Sequence, residues 1–151
     1  MKIKLLLAAL LIAPLCATSL PAGTPAQDKD FVDKYKAAYE KGDKATLESF
    51  LYTKDANPEA LEFYKMMMAP EPGAKIAKIE LVDLTPEDAK KASEVMTGPD
   101  GSKAQLSLKP TKKLKISIET KDANGSSTSS SESFVAEKDG KYVIPVPATV
   151  K

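Results

Sequence analysis

The sequence predicts an α+β domain in which N-terminal helices pack on an antiparallel sheet, after a cleaved signal peptide. Apolar residues recur every three or four positions between residues 30 and 70, which is typical of amphipathic helices. From residue 75 they alternate with polar residues, which is typical of strands with one buried face. Because helices precede strands, we expect the two to occupy separate layers. A chain of 151 residues, 42% hydrophobic and 28% charged, fits one globular domain.

A secretory signal peptide is predicted at the N-terminus. Two lysines precede an apolar run at residues 5–15, and small residues follow at 17–26. The run is about 11 residues long, shorter than the roughly 20 that a membrane-spanning helix needs. We place cleavage after Ala22, with Ser19 and Ala26 as alternatives. The signal peptide is then residues 1–22, and the protein is expected to be exported, to the periplasm or outside the cell, with no integral membrane segment.

The chain has a single cysteine, Cys16, which raises the alternative of a bacterial lipoprotein. A lipoprotein signal places small residues directly before the cysteine, whereas the bulky Leu15 precedes it here. This neighbour argues against lipidation. After cleavage at Ala22 the chain contains no cysteine, so we expect no disulfide and a fold stabilised by its core.

Three helices are predicted before residue 70. Residues 23–29 have no periodicity and are expected to be a flexible lead-in, after which Asp30 caps the first helix. Gly42 ends it, Asp43 caps the second helix, and Asn57 precedes the third, which has Pro58 in its first turn. The apolar residues at helical spacing are Phe31, Val32, Tyr35, Ala38 and Tyr39, then Ala45, Leu47, Phe50 and Leu51, then Ala60, Leu61, Tyr64, Met67 and Met68.

Alternation predicts the strands of the second half. A strand starts near Lys75, a helical turn runs from Thr85 to Ser93, and a turn follows at residues 98–101. Two more strands, separated by Pro110, lead to a polar loop at residues 122–131. The strand residues of apolar parity are those at the alternating apolar positions, and they are expected to face the helices. They are Ala77, Ile79, Leu81, Ala104, Leu106, Leu108, Leu114, Ile116, Ile118 and Phe134.

A β-hairpin is the clearest signal near the C-terminus. Residues 133–137 and 142–146 flank Asp139 and Gly140, a pair that favours a two-residue turn. We therefore predict one antiparallel meander, with a single domain over residues 30–147 and a tail at 148–151.

These elements resemble the nuclear-transport-factor-2-like superfamily, which includes the SnoaL-like proteins, and are similar in particular to small exported bacterial members of unknown function. The resemblance spans residues 30–147 and implies a curved sheet shaped like a cone. The chain departs from the pattern at Lys141 and Tyr142, where relatives often have Lys-Trp, and in an insertion at residues 86–101. The matching residues are Phe31, Tyr35, Ala37, Gly42, Asp43 and the closing hairpin at residues 134–144.

Enzymes of that superfamily carry an ionisable pair on the concave face, typically a carboxylate or histidine base beside a tyrosine or aspartate. None of the residues of apolar parity titrates, which argues against proton-transfer catalysis. Asp83 alone continues that parity, and we expect it at the end of a strand on the sheet's rim. Tyr52, Asp55 and Tyr64 are expected to be surface or packing residues. No catalytic residue is predicted.

Metal ions, cofactors and nucleic acids are not expected as ligands. The chain has no histidine or arginine, and residues 122–125 begin like a calcium loop but lack its later acidic ligand. We expect the lysines in residues 109–115 to cover the solvent-facing side of the sheet and to discourage edge pairing. The alternative is that they make weak contact with anionic glycans or lipid headgroups. These lysines are Lys109, Lys112, Lys113 and Lys115.

The sequence favours an exported, non-enzymatic domain that serves as a binding or interaction module for an unidentified partner, which is a protein or a small apolar ligand. A first alternative is a binder of small apolar molecules, and a second is a degenerate isomerase or dehydratase that uses Asp83 with Tyr52 or Tyr64. Met66, Met67 and Met68 are expected to fill the core rather than line a pocket. The apolar pocket of the first alternative, between helices and sheet, would be lined by Phe50, Phe63, Met67, Leu81 and Ile116.

Overall fold

Four helices and two β-sheets form the part of the chain that the computed structural model describes, which is residues 23–98, 101–123 and 125–150. The predicted signal peptide, Cys16, and Pro99 and Asp100 of the predicted turn lie outside these residues. The helices are α1 (Pro25–Lys41), α2 (Lys44–Ser49), α3 (Pro58–Met68) and α4 (Pro86–Ser93). The strands are β1 (Leu51–Tyr52), β2 (Ala74–Asp83), β3 (Met96–Thr97), β4 (Lys103–Leu106), β5 (Lys112–Asp122), β6 (Gly125–Lys138), β7 (Lys141–Pro145) and β8 (Pro147–Thr149).

The predicted α+β class is confirmed, because helices pack on a largely antiparallel five-stranded sheet. The strand order is β1-β7-β6-β5-β2, and among the described strands of this sheet only the short β1–β7 pair is parallel. A second sheet, β3-β4-β8, stands apart from it, so the prediction of one continuous meander was wrong. The difference arises after β7, where the chain leaves the main sheet and pairs with β4 instead.

The first helix begins earlier than predicted. Thr24 and Gln27 form a capping box, in which Gln27 N donates to Thr24 Oγ1 at 3.3 Å and Thr24 N donates to Gln27 Oε1 at 2.8 Å. Pro25 then occupies the first turn, where its missing N–H costs nothing. The expected lead-in at residues 23–29 is therefore helical from Pro25, while Gly42 ends α1 at φ 69° as predicted.

Strand β2 contains an irregularity that the simple alternation does not anticipate. Ile76 pairs with Ile118 but Lys78 pairs with Ser117, so one residue of β2 has no counterpart on β5. This β-bulge turns Ala77 out to solvent and leaves Ile76 buried. The prediction that Ala77 faces the helices was wrong for this reason, whereas Ile79 and Leu81 pack against the core.

The predicted polar loop at residues 122–131 is instead the start of a long strand. β5 continues to Asp122, β6 begins at Gly125, and every residue from Gly125 to Val135 pairs with β5. Serine is common in turns, but pairing with the regular strand β5 holds this segment in a strand. The hairpin at Asp139 and Gly140 was predicted correctly, with φ of 53° and 73° at the two turn residues.

The predicted tail at residues 148–151 is also partly structured. Thr149 pairs with Ala104 and Ala148 with Gln105, which makes β8 the third strand of the small sheet.

The prediction of a helical turn after Thr85 is confirmed, because this residue caps α4 in a second capping box.

The core lies between α1, α2 and the main sheet. The buried cluster is composed of Phe31, Tyr35, Ala38, Tyr39, Leu47, Leu51, Met68, Ile76, Leu114, Ile116, Val135, Tyr142, Ile144 and Val146.

Candidate functional site

Aromatic rings fill the space between α1 and the sheet. Phe31 packs edge-on against Phe50 and Tyr142, with ring centroids 5.1 and 5.7 Å apart, and Tyr35 lies 5.6 Å from Phe50. Burial raises the pKa of the Tyr35 hydroxyl above its ordinary value, so this side chain stays neutral. The region in which a ligand pocket was predicted thus holds packed side chains.

The five side chains of the predicted pocket lie apart. Ile116 is buried and Leu81 half-buried, and both belong to or pack against the core. Phe50 borders a cleft beside α1 and Phe63 borders another beside the small sheet. Of the methionines, Met68 is buried as predicted, but Met67 is exposed, so the structure does not bring these residues into one cavity.

An open apolar cleft lies instead between α3 and the small sheet. It has a volume of about 410 Å³, and we call it the α3 cleft. Polar groups of Asn57, Glu59 and Ser102 lie at its border. Its apolar wall consists of Ala60, Phe63, Tyr64, Met96, Ala104 and Pro147.

Asn57 holds the two walls of the α3 cleft together. Its side-chain oxygen accepts a hydrogen bond from Ala60 N at 3.0 Å and so caps α3. Its backbone N–H donates to Pro147 O at 2.8 Å, and its amide nitrogen donates to Thr149 Oγ1 at 3.3 Å. One residue therefore fixes both the start of α3 and its distance from β8.

Large apolar side chains are exposed around this cleft. Phe63 is 53% exposed and packs edge-on against Tyr64, with ring centroids 6.3 Å apart. Met96, across the cleft on β3, is 46% exposed. Exposed apolar side chains that border one cleft favour a binding site, whereas scattered single ones are common on soluble proteins.

A group of paired ionisable residues lies at the end of the core near the start of α1, and sequence reasoning missed it. Lys112 Nζ lies 3.0 Å from Asp28 Oδ2 and 3.0 Å from Asp83 Oδ1. The Tyr142 hydroxyl donates to Asp28 Oδ1 at 2.6 Å. We call these four residues the Lys112 cluster.

The charge states of this cluster follow from its surroundings. Burial acts to lower the pKa of Lys112, but its hydrogen bonds to Asp83 and Asp28 outweigh burial and raise it above the ordinary value. Burial, followed by the hydrogen bond to Asp28, raises the pKa of Tyr142. Lys112 therefore stays charged and Tyr142 neutral at physiological pH.

Lys112 was expected on the solvent-facing side of the sheet, and that expectation was wrong. It lies two residues before Leu114, so it shares the parity of the buried residues of β5. Extending the alternation of β5 from Leu114 back by two residues would have predicted that Lys112 faces the core.

The outer side of β5 is covered by charge pairs. Lys113 Nζ lies 2.8 Å from Asp88 Oδ1 on α4 and 3.0 Å from Glu132 Oε2, and Lys115 lies 3.4 Å from the same glutamate. The hydrogen bond from Lys113, followed by that from Thr85 N, lowers the pKa of Asp88 to about 2. Because the carboxylates of Asp88 and Glu132 offset the charges of Lys113 and Lys115, these two lysines offer little free positive charge to anionic glycans or lipids.

The residues of the hypothetical enzyme do not form an acid–base pair. Asp83 ends β2, as predicted, and its side chain is 87% exposed. Its ion pair is with Lys112 rather than with Tyr52 or Tyr64. Tyr64 packs against the core and Asp55 is exposed, so both are surface or packing residues as predicted.

The described residues form neither a cluster of metal-binding side chains nor a membrane-spanning helix. No group of three or more aspartate, glutamate, histidine or cysteine side chains stands close enough to hold a metal ion among residues 23–98, 101–123 and 125–150. Within the same ranges, no helix has both the length and the apolar character needed to cross a bilayer.

No protein-family model matches the chain, and no curated protein does. A solved structure named Rd1NTF2_05, a designed nuclear-transport-factor-2-like protein carrying five substitutions, is 9% identical, with 81% of this chain and 95% of that chain covered at a TM-score of 0.39. A score at this level does not assign a fold, so membership of the superfamily stays a prediction.

Proposed function

We propose that this chain is an exported, non-enzymatic binding domain that holds a small apolar molecule in the α3 cleft. The observation that carries the proposal is the combination of a cleft of about 410 Å³ with exposed Phe63 and Met96 on its opposite walls. Clefts that bind small molecules have volumes of roughly 300 to 1,000 Å³ and mostly apolar linings with a few polar groups. Export rests on the apolar leader at residues 5–15.

The paired ionisable groups of the main sheet support binding rather than catalysis, and Glu59 is the carboxylate that the α3 cleft itself offers. A general acid or base must reach the substrate, whereas Lys112 and Asp28 are bonded to one another. Asp88 and Lys113 form a second pair on the outer side of the sheet. Neither pair borders the α3 cleft.

Titration with the neutral apolar dye Nile red tests this proposal. We expect saturable binding with increased fluorescence, and we expect Phe63→Ser to weaken binding about tenfold because it removes an aromatic wall, a loss of about 1.4 kcal/mol. Ala104→Phe, which fills the cleft from β4, should abolish binding.

Met66→Ser is the matched control for this experiment. Met66 lies on the same helix and is 68% exposed, but it does not border the cleft. Equal loss of binding in Met66→Ser and Phe63→Ser would show adsorption to exposed apolar surface and would refute the proposal.

A further inference from the structure

Most of strand β6 has only one paired edge. β5 pairs with β6 from Gly125 to Val135, but β7 pairs only with Ala136, Glu137 and Lys138. Residues 125–130 are all exposed. Among the residues that the structure describes, no strand pairs with the second edge of this segment, which we call the β6 edge.

The main-chain groups of the β6 edge can be identified from the hairpin. Lys138 and Lys141 close the two-residue turn, and in such a hairpin the closing residues exchange both main-chain hydrogen bonds. Every second residue back along β6 points its N–H and C=O to the same side. Ser126, Thr128 and Ser130 therefore direct these groups to the unpaired edge.

The β6 edge lacks the features that normally prevent strand pairing. Exposed edges are usually protected by charged residues, proline or bulges. Residues 125–131 contain one glycine, one threonine and five serines, with no charge and no proline. The opposite edge strand of the sheet, β2, carries Lys75, Lys78 and Glu80 as well as a bulge.

We propose that a second copy of this chain pairs with the β6 edge in antiparallel orientation, joining two sheets into one. A two-fold axis at Thr128 places this residue opposite itself and Ser126 opposite Ser130. Each of these pairs can exchange two main-chain hydrogen bonds.

The composition of the edge favours an identical partner. No charged residue meets a like charge in the pair, and a two-fold contact closes after two copies. The bond of 3.1 Å between the hydroxyls of Ser117 and Ser130 shows that serines opposed across strands of this sheet bond to each other. Because little apolar surface is buried, the dimer is weak and depends on concentration.

Sedimentation velocity of the full chain over a wide concentration range tests the inference. We expect the average mass to rise from one copy toward two. Thr128→Lys should weaken association at least tenfold by placing two ammonium groups opposite each other, and Thr128→Val, which keeps the N–H, should associate like the parent.

A second variant separates pairing from side-chain effects. Ser126→Pro removes an N–H that points to the unpaired edge and leaves the pairing with β5 intact, so it should also weaken association. A chain that stays monomeric at every concentration, or variants that associate like the parent, would overturn the inference. Nile red binding should be unchanged in all of these variants, which distinguishes failure of the dimer from failure of the α3 cleft proposal.

Discussion

At the scale of the residue, Lys112 shows how an ionisable side chain can occupy a core position. Its ammonium group is surrounded by Asp28 from α1 and Asp83 from β2, so its burial is compensated by two carboxylates. Asp28 also accepts the hydrogen bond of Tyr142. The cluster thereby fastens the beginning of α1 to β2, β5 and β7.

Replacing Lys112 tests this fastening. Lys112→Met should lower the free energy of unfolding by about 1–3 kcal/mol, because Asp28 loses its ion pair in a partly buried place. Lys115→Met, on the exposed side of the same strand, should leave the unfolding midpoint unchanged. Urea denaturation of the two variants gives the comparison, and equal midpoints would contradict the stabilising role of the cluster.

Asp88 provides a prediction for acid stability. A carboxyl group whose pKa is lower in the folded than in the unfolded state stabilises the fold above its unfolded pKa, and this contribution is lost as the pH falls through the folded value. With a folded pKa of about 2, Asp88 contributes fully above about pH 4 and loses its effect toward pH 2.

The measurement is the midpoint of thermal unfolding at a series of pH values between pH 5 and pH 2, which is roughly the range in which aspartates titrate. Asp88→Asn should make the midpoint less dependent on pH, whereas Glu87→Gln on the same turn of α4 should retain the parent's slope. A parent-like slope in Asp88→Asn would show that the Lys113–Asp88 pair does not contribute.

At the scale of the element, α3 connects stability to the proposed binding site. Its residues form one wall of the α3 cleft, and β3, β4 and β8 form the other. The start of α3 depends on the cap and on the main-chain bond of Asn57 to β8. Disturbing this residue should therefore affect both the fold and the ligand.

Removing the cap of α3 tests that connection. Asn57→Ala should cost about 1 kcal/mol of stability and should also weaken Nile red binding, because α3 loses its cap and its side-chain hydrogen bond to Thr149 of β8. Asn57→Asp retains the capping oxygen and should recover most of the stability. Unaltered dye affinity in Asn57→Ala would separate α3 from the binding site.

At the scale of the whole molecule, the order of helices and strands was predictable and the exceptions depend on how the strands pair. Asp43, Asn57 and Thr85 signal their helices because capping is a short-range interaction. The bulge at Ala77 depends on pairing with β5, which is distant from β2 in sequence, and the strand formed by the serines of β6 depends on pairing with the same strand across a tight hairpin. The α3 cleft exists because β8 pairs with β4. The sequence did not predict this pairing, so the pocket was predicted between the helices and the main sheet.

Native mass spectrometry of the protein purified from cells that express the full chain tests the central claim most directly. We expect the parent to carry an apolar small molecule at a fixed ratio, released by mild denaturation, and Phe63→Ser to carry much less of it. A parent that is ligand-free under these conditions and also fails to bind Nile red would contradict a binding function of the α3 cleft.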